Sequence, residues 1–118
     1  MTGGQMAPTT LIGQKTSTSP YGRTVEHGGH PLKITELIAQ LPGTCYVTRE
    51  SGETAGAVRK LKKAIRKAFE NSGQNKGTSF VEVVSTCSSG YKLSPVKSNE
   101  WMKENMFPFY EKGVLKDE

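Results

Sequence analysis

The sequence predicts an α/β protein, and three consecutive segments carry that prediction. Residues 44–49 and 79–86 are rich in β-branched and aromatic side chains, which favour strands. Between them, residues 53–72 show the apolar periodicity of a long amphipathic helix. A strand, a helix and a strand in this order form a βαβ unit, whose strands pair in parallel through a right-handed crossover. Two parallel strands do not make a stable sheet alone, so we expect the missing part of the sheet to precede residue 1.

Residues 1–30 are predicted to form an extended arm rather than part of the core. This segment is rich in Gly, Thr and Ser, with turn signals at Ser19-Pro20, at Tyr21-Gly22 and over residues 27–30. Its few large apolar side chains cannot offset the entropy lost on ordering unless the arm lies against something else. We therefore divide the chain into the arm, residues 1–30, and an α/β part, residues 31–118, that carries the core.

Two shorter helices are predicted to flank the βαβ unit. The first spans residues 31–41, where proline occupies the first turn, an apolar face follows, and Pro42-Gly43 ends the helix. The second spans residues 96–105, and we expect the aromatic segment 107–110 after it to pack back on the domain. In the long helix between the strands, the predicted core-facing stripe consists of Ala55, Val58, Leu61, Ile65 and Phe69.

The composition limits the functional classes. With 118 residues, of which 34% are apolar, the chain forms one domain at most. No run approaches the roughly twenty apolar residues that a membrane span needs, and no signal-peptide pattern is present. We therefore expect a cytoplasmic protein with no membrane partner. Cys45 and Cys87 are then better interpreted as free thiols or ligands than as a disulfide, although the pairing remains an alternative.

The densest charge feature is the run at residues 59–67, which holds six of the cations behind the formal net charge of +5. Leu61 and Ile65 continue the apolar stripe through this run, which is typical of the solvated side of an amphipathic helix. A docking surface for an acidic partner is the alternative. Nucleic acid is not expected as a partner, because no aromatic stacking platform or nucleic-acid-binding motif accompanies the cations.

A few residues suit ligand binding, each with an ordinary structural alternative. Cys87 ends the second strand, where open α/β sheets place their ligands, but a cysteine there is more often a small buried side chain. Cys45 lies within a strand and is better interpreted as a core residue. His27 and His30 could share a metal, but a structural zinc site needs four ligands, which favours a polar turn. Glycines 3 and 4 allow close backbone approach, with hydrogen-bonding groups on Thr2 and Gln5.

Six segments, taken in order, resemble a single family over essentially the whole chain. They are similar to the carboxyl-terminal half of the β subunit of 2-oxoacid:ferredoxin oxidoreductases of the 2-oxoglutarate and 2-oxoisovalerate type. The opening MTGGQ and the strand that ends in STC are the most specific parts. The segments are MTGGQMAPTTLIGQKTSTSPYGR, PLKITELIAQLPGTCYVTR, AVRKLKKAIRKAFE, GTSFVEVVSTC, SPVKSNEWMKENMFPFY and GVLKD.

The resemblance implies a partial thiamine diphosphate-binding fold whose cofactor wall lies at the start of the chain. In the family, the motif MTGGQ is the trailing part of the loop that binds Mg²⁺ and the diphosphate. The residues implied to border the thiazolium and the substrate are Thr2, Gly3, Gly4 and Gln5. The family's metal ligands match positions before Met1, so the chain by itself is not expected to bind the cofactor.

The resemblance also implies an iron–sulfur ligand. The family's β subunit holds a four-iron, four-sulfur (4Fe-4S) cluster on four cysteines, and Cys87 matches the last of them. The next residues, SSGY at positions 88–91, depart from the family's pattern. One thiolate cannot hold a cluster, so the isolated chain is expected to contain no iron.

The implied activity is the oxidative decarboxylation of a 2-oxoacid to acyl-CoA with reduction of ferredoxin. The implied partners are the α subunit and the γ and δ subunits of the same enzyme, ferredoxin, coenzyme A and the 2-oxoacid. We expect the chain to be a carboxyl-terminal fragment of the β subunit that is inactive alone. The alternative is a stand-alone, non-catalytic interaction module derived from this half-domain.

Overall fold

The computed structural model describes residues 4–87 and 93–118, which fall into two compact units. The arm unit contains the described residues of Met1–Lys33 and Ser85–Phe109, and the sheet unit contains Ile34–Val84 and Tyr110–Glu118. The predicted arm, residues 1–30, thus shares a unit with residues that follow the second strand. Among the described helices, none has both the length and the apolar character needed to cross a membrane.

The sheet unit is built on a mixed sheet of three strands in the order β2-β1-β3. They are β1 (Thr44–Ser51), β2 (Thr78–Val84) and β3 (Gly113–Asp117). Strands β1 and β2 pair in parallel, with Val47 opposite Phe80, whereas β3 runs antiparallel to β1. The α/β class and the parallel βαβ pair are confirmed. The sheet is mixed rather than purely parallel, because its third strand comes from the end of the chain and pairs antiparallel with β1.

Strand β3 is not predicted from the sequence, because its five residues show only a weak alternation of apolar and polar side chains. It has only five residues, GVLKD, and it lies at an edge of the sheet with Val114 and Leu115 exposed. An edge strand of this kind gains its stability from pairing with β1 rather than from burying apolar side chains. The chain enters it through Gly113, whose φ of 138° disfavours other residues.

The helix α2 (Ala55–Gly73) connects the two parallel strands, and it begins at Thr54, whose hydroxyl accepts a hydrogen bond of 3.0 Å from Ala57 N. Its buried face carries Ala57 and Ala64, seven residues apart. Ala64 packs in one cluster with Cys45 and Tyr46 of β1. Because Tyr46 fills the space above the strand, the helix position that faces it must be small.

The predicted apolar stripe of this helix is wrong at both ends, because Ala55, Ile65 and Phe69 are exposed. Ile65 is 41% exposed and Phe69 is 75% exposed. The four-residue spacing of Leu61, Ile65 and Phe69 suggested a core face, but small alanines form the contact instead. Large side chains mark a core-facing stripe only where the opposing strand leaves room for them.

The described residues also contain three shorter helical segments. Helix α1 (Ile34–Ala39) lies in the sheet unit and is shorter than the predicted 31–41. Helix α3 (Pro95–Trp101) lies in the arm unit and continues into a π-helical turn, Met102–Met106. The two together confirm the helix predicted over residues 96–105. Ser94 caps α3, since its hydroxyl accepts a hydrogen bond of 3.2 Å from Lys97 N.

A fully buried arginine ties the elements of the sheet unit together. Arg49 of β1 forms two hydrogen bonds of 2.7 Å with the carboxylate of Glu36 on α1. It also donates to Glu82 Oε2 on β2 at 3.3 and 3.4 Å and to the carbonyl of Glu111 at 3.2 Å. The ring of Tyr110 lies 5.2 Å from the guanidinium carbon. One side chain therefore joins a helix, two strands and the segment that leads into β3.

The electrostatics of this cluster favour the charged guanidinium. Burial alone lowers the pKa of Arg49. The hydrogen bonds and negative charges of Glu36 and Glu82 raise the pKa by a larger amount, so the net shift is upward. An ion pair in this setting is costly to break by removing one partner, because the other charges stay behind without compensation.

We expect Arg49→Leu to lower the free energy of unfolding by on the order of 3 kcal/mol, because Glu36 and Glu82 lose their shared cation. Urea unfolding followed by circular dichroism measures this change. Arg66→Leu, which removes an exposed arginine from α2, is the matched control and should cost less than about 0.5 kcal/mol. Replacing Glu36 and Glu82 by leucine as well should recover part of the loss. An Arg49→Leu variant as stable as the control would contradict this role.

A second ion pair lies between the end of β1 and the start of β3. Lys112 Nζ donates to Ser51 Oγ at 3.0 Å and to Glu53 Oε1 at 3.1 Å. The Glu53 side chain is only 4% exposed. Burial raises the pKa of Glu53, but hydrogen bonds from Ser51, its own backbone and Lys112 outweigh it, so the pKa lies below its ordinary value of 4.5.

This lowered pKa predicts an acid-dependent contribution to stability. The ionised Glu53 stabilises the folded chain fully above the ordinary pKa, and the contribution is lost as the pH falls through the lower, folded-state pKa. We expect Glu53→Gln to be destabilised at neutral pH and the difference from wild type to shrink below a pH of about 4.5. Urea unfolding over a pH series measures the difference. A difference that does not change with pH would show that the charge of Glu53 has no role.

Candidate functional site

The arm unit contains the described residues that the sequence analysis assigned to cofactors. Gly4, Gln5 and Cys87 all belong to it, whereas Cys45 is buried in the sheet unit. Thr2 and Gly3 lie outside the described residues. The start of the chain and the segment that follows β2 are thus brought into one compact unit, although more than eighty residues separate Gly4 from Cys87.

The start of the arm is fixed by a turn further along the arm. Gly4 is buried with a φ of 66°, a left-handed conformation that favours glycine, and its carbonyl accepts a hydrogen bond of 3.1 Å from Ser17 N. Met6 N donates to Thr18 Oγ1 at 2.8 Å. Gln5 lies between these two anchored residues and is exposed. Its carboxamide is therefore presented to solvent from a backbone held on both sides.

A buried arginine organises the arm. Arg23 is 3% exposed, and its Nη1 donates to the carbonyls of Ala7, Pro8 and Thr10 at 2.9, 3.0 and 2.7 Å. Its Nη2 donates to the carbonyls of Gly28 and His30, the latter at 3.4 Å. A single guanidinium thus gathers backbone from both ends of the arm.

The arm is therefore a set of hydrogen-bonded turns rather than an extended segment. Gly13 N donates to the carbonyl of Arg23 at 2.7 Å, and Arg23 N donates to the carbonyl of Gln14 at 3.1 Å. Gly22 precedes Arg23 and has a φ of 96°, and a Cβ at this position would lie only 2.9 Å from the carbonyl oxygen of Gly13. This position therefore favours glycine. Sequence reasoning missed this arrangement, because backbone carbonyl acceptors leave no signature in the sequence. The turn signals around Tyr21 were the only available indication.

The described residues do not form a complete metal site. Cys87 is half-buried and Cys45 is buried in the other unit, and neither cysteine forms a disulfide. Within residues 4–87 and 93–118, no group of three or more His, Cys, Asp or Glu side chains could hold a metal ion. Cys87 can supply one thiolate to an iron–sulfur cluster, which needs four ligands, so the described residues alone do not fit the cluster. His27 and His30 are both exposed.

The basic run on α2 is largely a solvated face. Its exposed members are Arg59, Lys60, Lys62, Lys63 and Arg66. Lys67 differs, because it is hydrogen-bonded to Asp117 of β3 and lies 5.1 Å from the centre of the Tyr46 ring. The hydrogen bond with Asp117 raises the pKa of Lys67. This lysine therefore contributes to the sheet unit, and the other five remain available to an acidic partner.

Comparison with known proteins supports the resemblance found in the sequence. The chain is 41% identical over 106 residues to ketoisovalerate oxidoreductase subunit VorA of Methanothermobacter marburgensis. It is 44% identical over 105 residues to 2-oxoglutarate synthase subunit KorB of Archaeoglobus fulgidus and 36% identical over 97 residues to pyruvate synthase subunit PorB of Pyrococcus furiosus. No protein-family profile matches the chain, and no solved structure matches it significantly.

These matches cover most of this chain but a minor part of each relative. They span 90%, 89% and 81% of this chain and 22%, 35% and 27% of the respective relatives. The similarity to subunits of 2-oxoacid oxidoreductases is thereby confirmed for the region that the chain represents.

We expect Arg23→Gln to loosen the arm without unfolding the sheet unit, because a carboxamide offers two N–H donors in place of the guanidinium's five. Limited proteolysis with mass spectrometry should show faster cleavage within residues 4–33, while the far-ultraviolet circular dichroism of the helices is retained. Arg59→Gln on the exposed face of α2 is the control and should leave cleavage unchanged. Equal cleavage rates in both variants would show that the carbonyl network does not order the arm.

Proposed function

We propose that the chain forms the carboxyl-terminal part of the β subunit of a 2-oxoacid:ferredoxin oxidoreductase. Such an enzyme decarboxylates a 2-oxoacid oxidatively, transfers the acyl group to coenzyme A and reduces ferredoxin. The proposed partners are the α, γ and δ subunits. The observation that supports the proposal is sequence identity of 36–44% to oxidoreductase subunits across 81–90% of the chain.

The names of the relatives also indicate which part of the chemistry this region serves. The names specify ketoisovalerate, 2-oxoglutarate and pyruvate. The group attached to the 2-oxo carbon is branched and apolar in ketoisovalerate, acidic in 2-oxoglutarate and a single methyl group in pyruvate. A region shared by enzymes for such different substrates is better suited to steps common to all 2-oxoacids than to side-chain recognition. The proposal therefore assigns the chain to cofactor binding and electron transfer.

The cofactors of the proposed enzyme are thiamine diphosphate with Mg²⁺ and a 4Fe-4S cluster, within a thiamine diphosphate-binding fold. Thiamine diphosphate supplies an electron sink for the carbanion left by decarboxylation. In this chain, Thr2, Gly3, Gly4 and Gln5 are proposed to border the cofactor, with the anchored Gly4 backbone fixing the point from which the exposed Gln5 side chain extends. Cys87 is proposed as one of the four cluster ligands. The remaining ligands of the metal and the cluster are outside this set of residues.

The alternative of a non-catalytic interaction module gains some support from the exposed aromatic side chains. Tyr21 is 97% exposed at a tight turn, and Phe69 is 75% exposed on α2. Exposed aromatic residues of this kind often anchor protein partners. Subunit contacts within an oxidoreductase would use them equally well, so the two functions differ chiefly in whether Cys87 is needed.

A chimeric enzyme tests the proposal through Cys87. In KorB of Archaeoglobus fulgidus, the matching 105 residues are replaced by this chain, and the subunit is assembled with its partners. We expect the chimera to reduce a redox dye with 2-oxoglutarate and coenzyme A. Cys87→Ser should lose cluster iron and visible absorption, because a serine oxygen is a poor ligand for iron–sulfur iron.

The matched control is Cys45→Ser, which should keep the cluster and at most lose packing stability, since Cys45 is buried in the core cluster. Full iron content in the Cys87 variant, or loss of the cluster in the Cys45 variant, would refute the ligand assignment. An assembled chimera with a full cluster and no 2-oxoglutarate-dependent dye reduction would count against the enzymatic role and favour the interaction module.

A further inference from the structure

The exposed side of α2 carries a dense group of positive charges, which we call the basic face. Its members are Arg59, Lys60, Lys62, Lys63 and Arg66, and all of them are exposed. Within residues 4–87 and 93–118, none of these five side chains forms an ion pair. The single acidic residue of α2 is Glu70, close to the end of the helix. The positive charge of this face is therefore largely uncompensated.

The cations of the basic face are close enough to repel one another. Arg59 and Lys63 are four residues apart, as are Lys62 and Arg66, so the members of each pair are neighbours on the helix surface. Like charges at this spacing destabilise a helix, and a folded surface usually intersperses both signs of charge. The repulsion works against the stability of α2, whereas carboxylates supplied by a partner would relieve it.

An apolar groove borders the basic face and lies wholly in the sheet unit. It has a volume of about 480 Å³ and runs between α2 and β2. Its apolar lining consists of Ile65, Ala68, Phe69 and Val81, while Gly77 and three hydroxyl side chains provide the rest. Because Ile65 and Phe69 remain exposed, the groove is open to a partner.

The groove and the basic face share an edge along α2. Lys62 precedes Ile65 by three residues, and Arg66 precedes Phe69 by three residues. This spacing makes each cation a neighbour of a large apolar side chain on the helix surface. Protein interfaces combine these features, since their centres are enriched in aromatic residues and arginine and their rims are polar.

We propose that the basic face and the adjoining groove bind an acidic segment of another protein, in which a large apolar side chain is flanked by carboxylates. The apolar side chain enters the groove against Phe69, and the carboxylates pair with Lys62 and Arg66. This surface uses neither Gln5 nor Cys87, so it stands independently of the oxidoreductase function proposed above.

The charge and composition of the surface favour this occupant over two others. A second copy of the chain is disfavoured, because a net charge of +5 makes two copies repel each other. Single-stranded nucleic acid is disfavoured, because it is held by successive aromatic side chains and Phe69 is the only aromatic residue of α2.

Fluorescence anisotropy of labelled peptides titrated with the isolated chain tests the proposal. One peptide consists of Leu-Glu-Glu repeats, and the other consists of Ser-Glu-Glu repeats with the same length and charge. We expect saturable binding of both peptides, with the Leu-Glu-Glu peptide bound more tightly because its leucines enter the groove. Both should bind more weakly as salt is added, because salt screens exposed charges.

Phe69→Ser separates the apolar contact from the charges. It should weaken the Leu-Glu-Glu peptide by about tenfold, as expected for the loss of one apolar anchor, and leave the Ser-Glu-Glu peptide unchanged. Tyr21→Ser removes an exposed aromatic residue from the arm unit and is the matched control. It should leave both titrations unchanged.

The double variant Lys62→Gln/Arg66→Gln tests the charges. It should weaken both peptides by roughly tenfold and reduce the salt dependence of their binding. Lys97→Gln/Lys103→Gln makes the same change in net charge at exposed positions of the arm unit. This control should change either titration by less than about twofold, because the distant charges are screened.

The proposal is overturned if the Leu-Glu-Glu peptide shows no saturable binding, if Phe69→Ser leaves its affinity unchanged, or if the two double variants weaken it equally. A thymidine oligonucleotide of the same charge that binds more tightly than this peptide would assign the surface to nucleic acid instead. Sedimentation of the wild-type chain as a dimer that Phe69→Ser converts into a monomer would assign it to a second copy.

Discussion

Each of the two units is organised around a buried guanidinium. A charged side chain taken out of water needs acceptors for its N–H donors, so a buried arginine constrains the groups to which it donates. In the sheet unit, Arg49 meets carboxylates on α1 and β2 and a carbonyl ahead of β3. In the arm unit, Arg23 meets five backbone carbonyls. The arrangement around Arg49 joins helices and strands. The arrangement around Arg23 orders a segment that has almost no regular secondary structure.

This difference explains which parts of the fold could be predicted from the sequence. The parallel pair β1–β2 and helix α2 follow from local composition and apolar periodicity, and the structure contains both. Strand β3 forms by pairing with β1, and its five residues show no buried apolar alternation. The buried face of α2 is set by Tyr46 on the opposite strand, which admits alanine but not Ile65 or Phe69. Both features depend on partners distant in sequence, which local patterns do not reveal.

The candidate sites divide in the same way. Gly4, Gln5 and Cys87 could be singled out because they lie in short, specific segments whose resemblance to a family is informative. The carbonyl network around Arg23 could not, since backbone acceptors leave no signature in the sequence. The arm has too few large apolar residues to become ordered by burying them. Hydrogen bonds to Arg23 and tight turns at glycines hold it instead, and they also fix the backbone on both sides of Gln5. The proposed cofactor wall depends on that order.

The central claim is that the arm is ordered by its own hydrogen bonds in this chain. Hydrogen exchange of the backbone amides, followed by nuclear magnetic resonance on the isolated chain, tests it directly. The amides of Gly13, Ser17 and Arg23, which donate to carbonyls within the arm unit, should exchange at least about a hundredfold more slowly than unstructured peptide. Exchange at the unstructured rate for these three amides, while amides of β1 remain protected, would contradict the account.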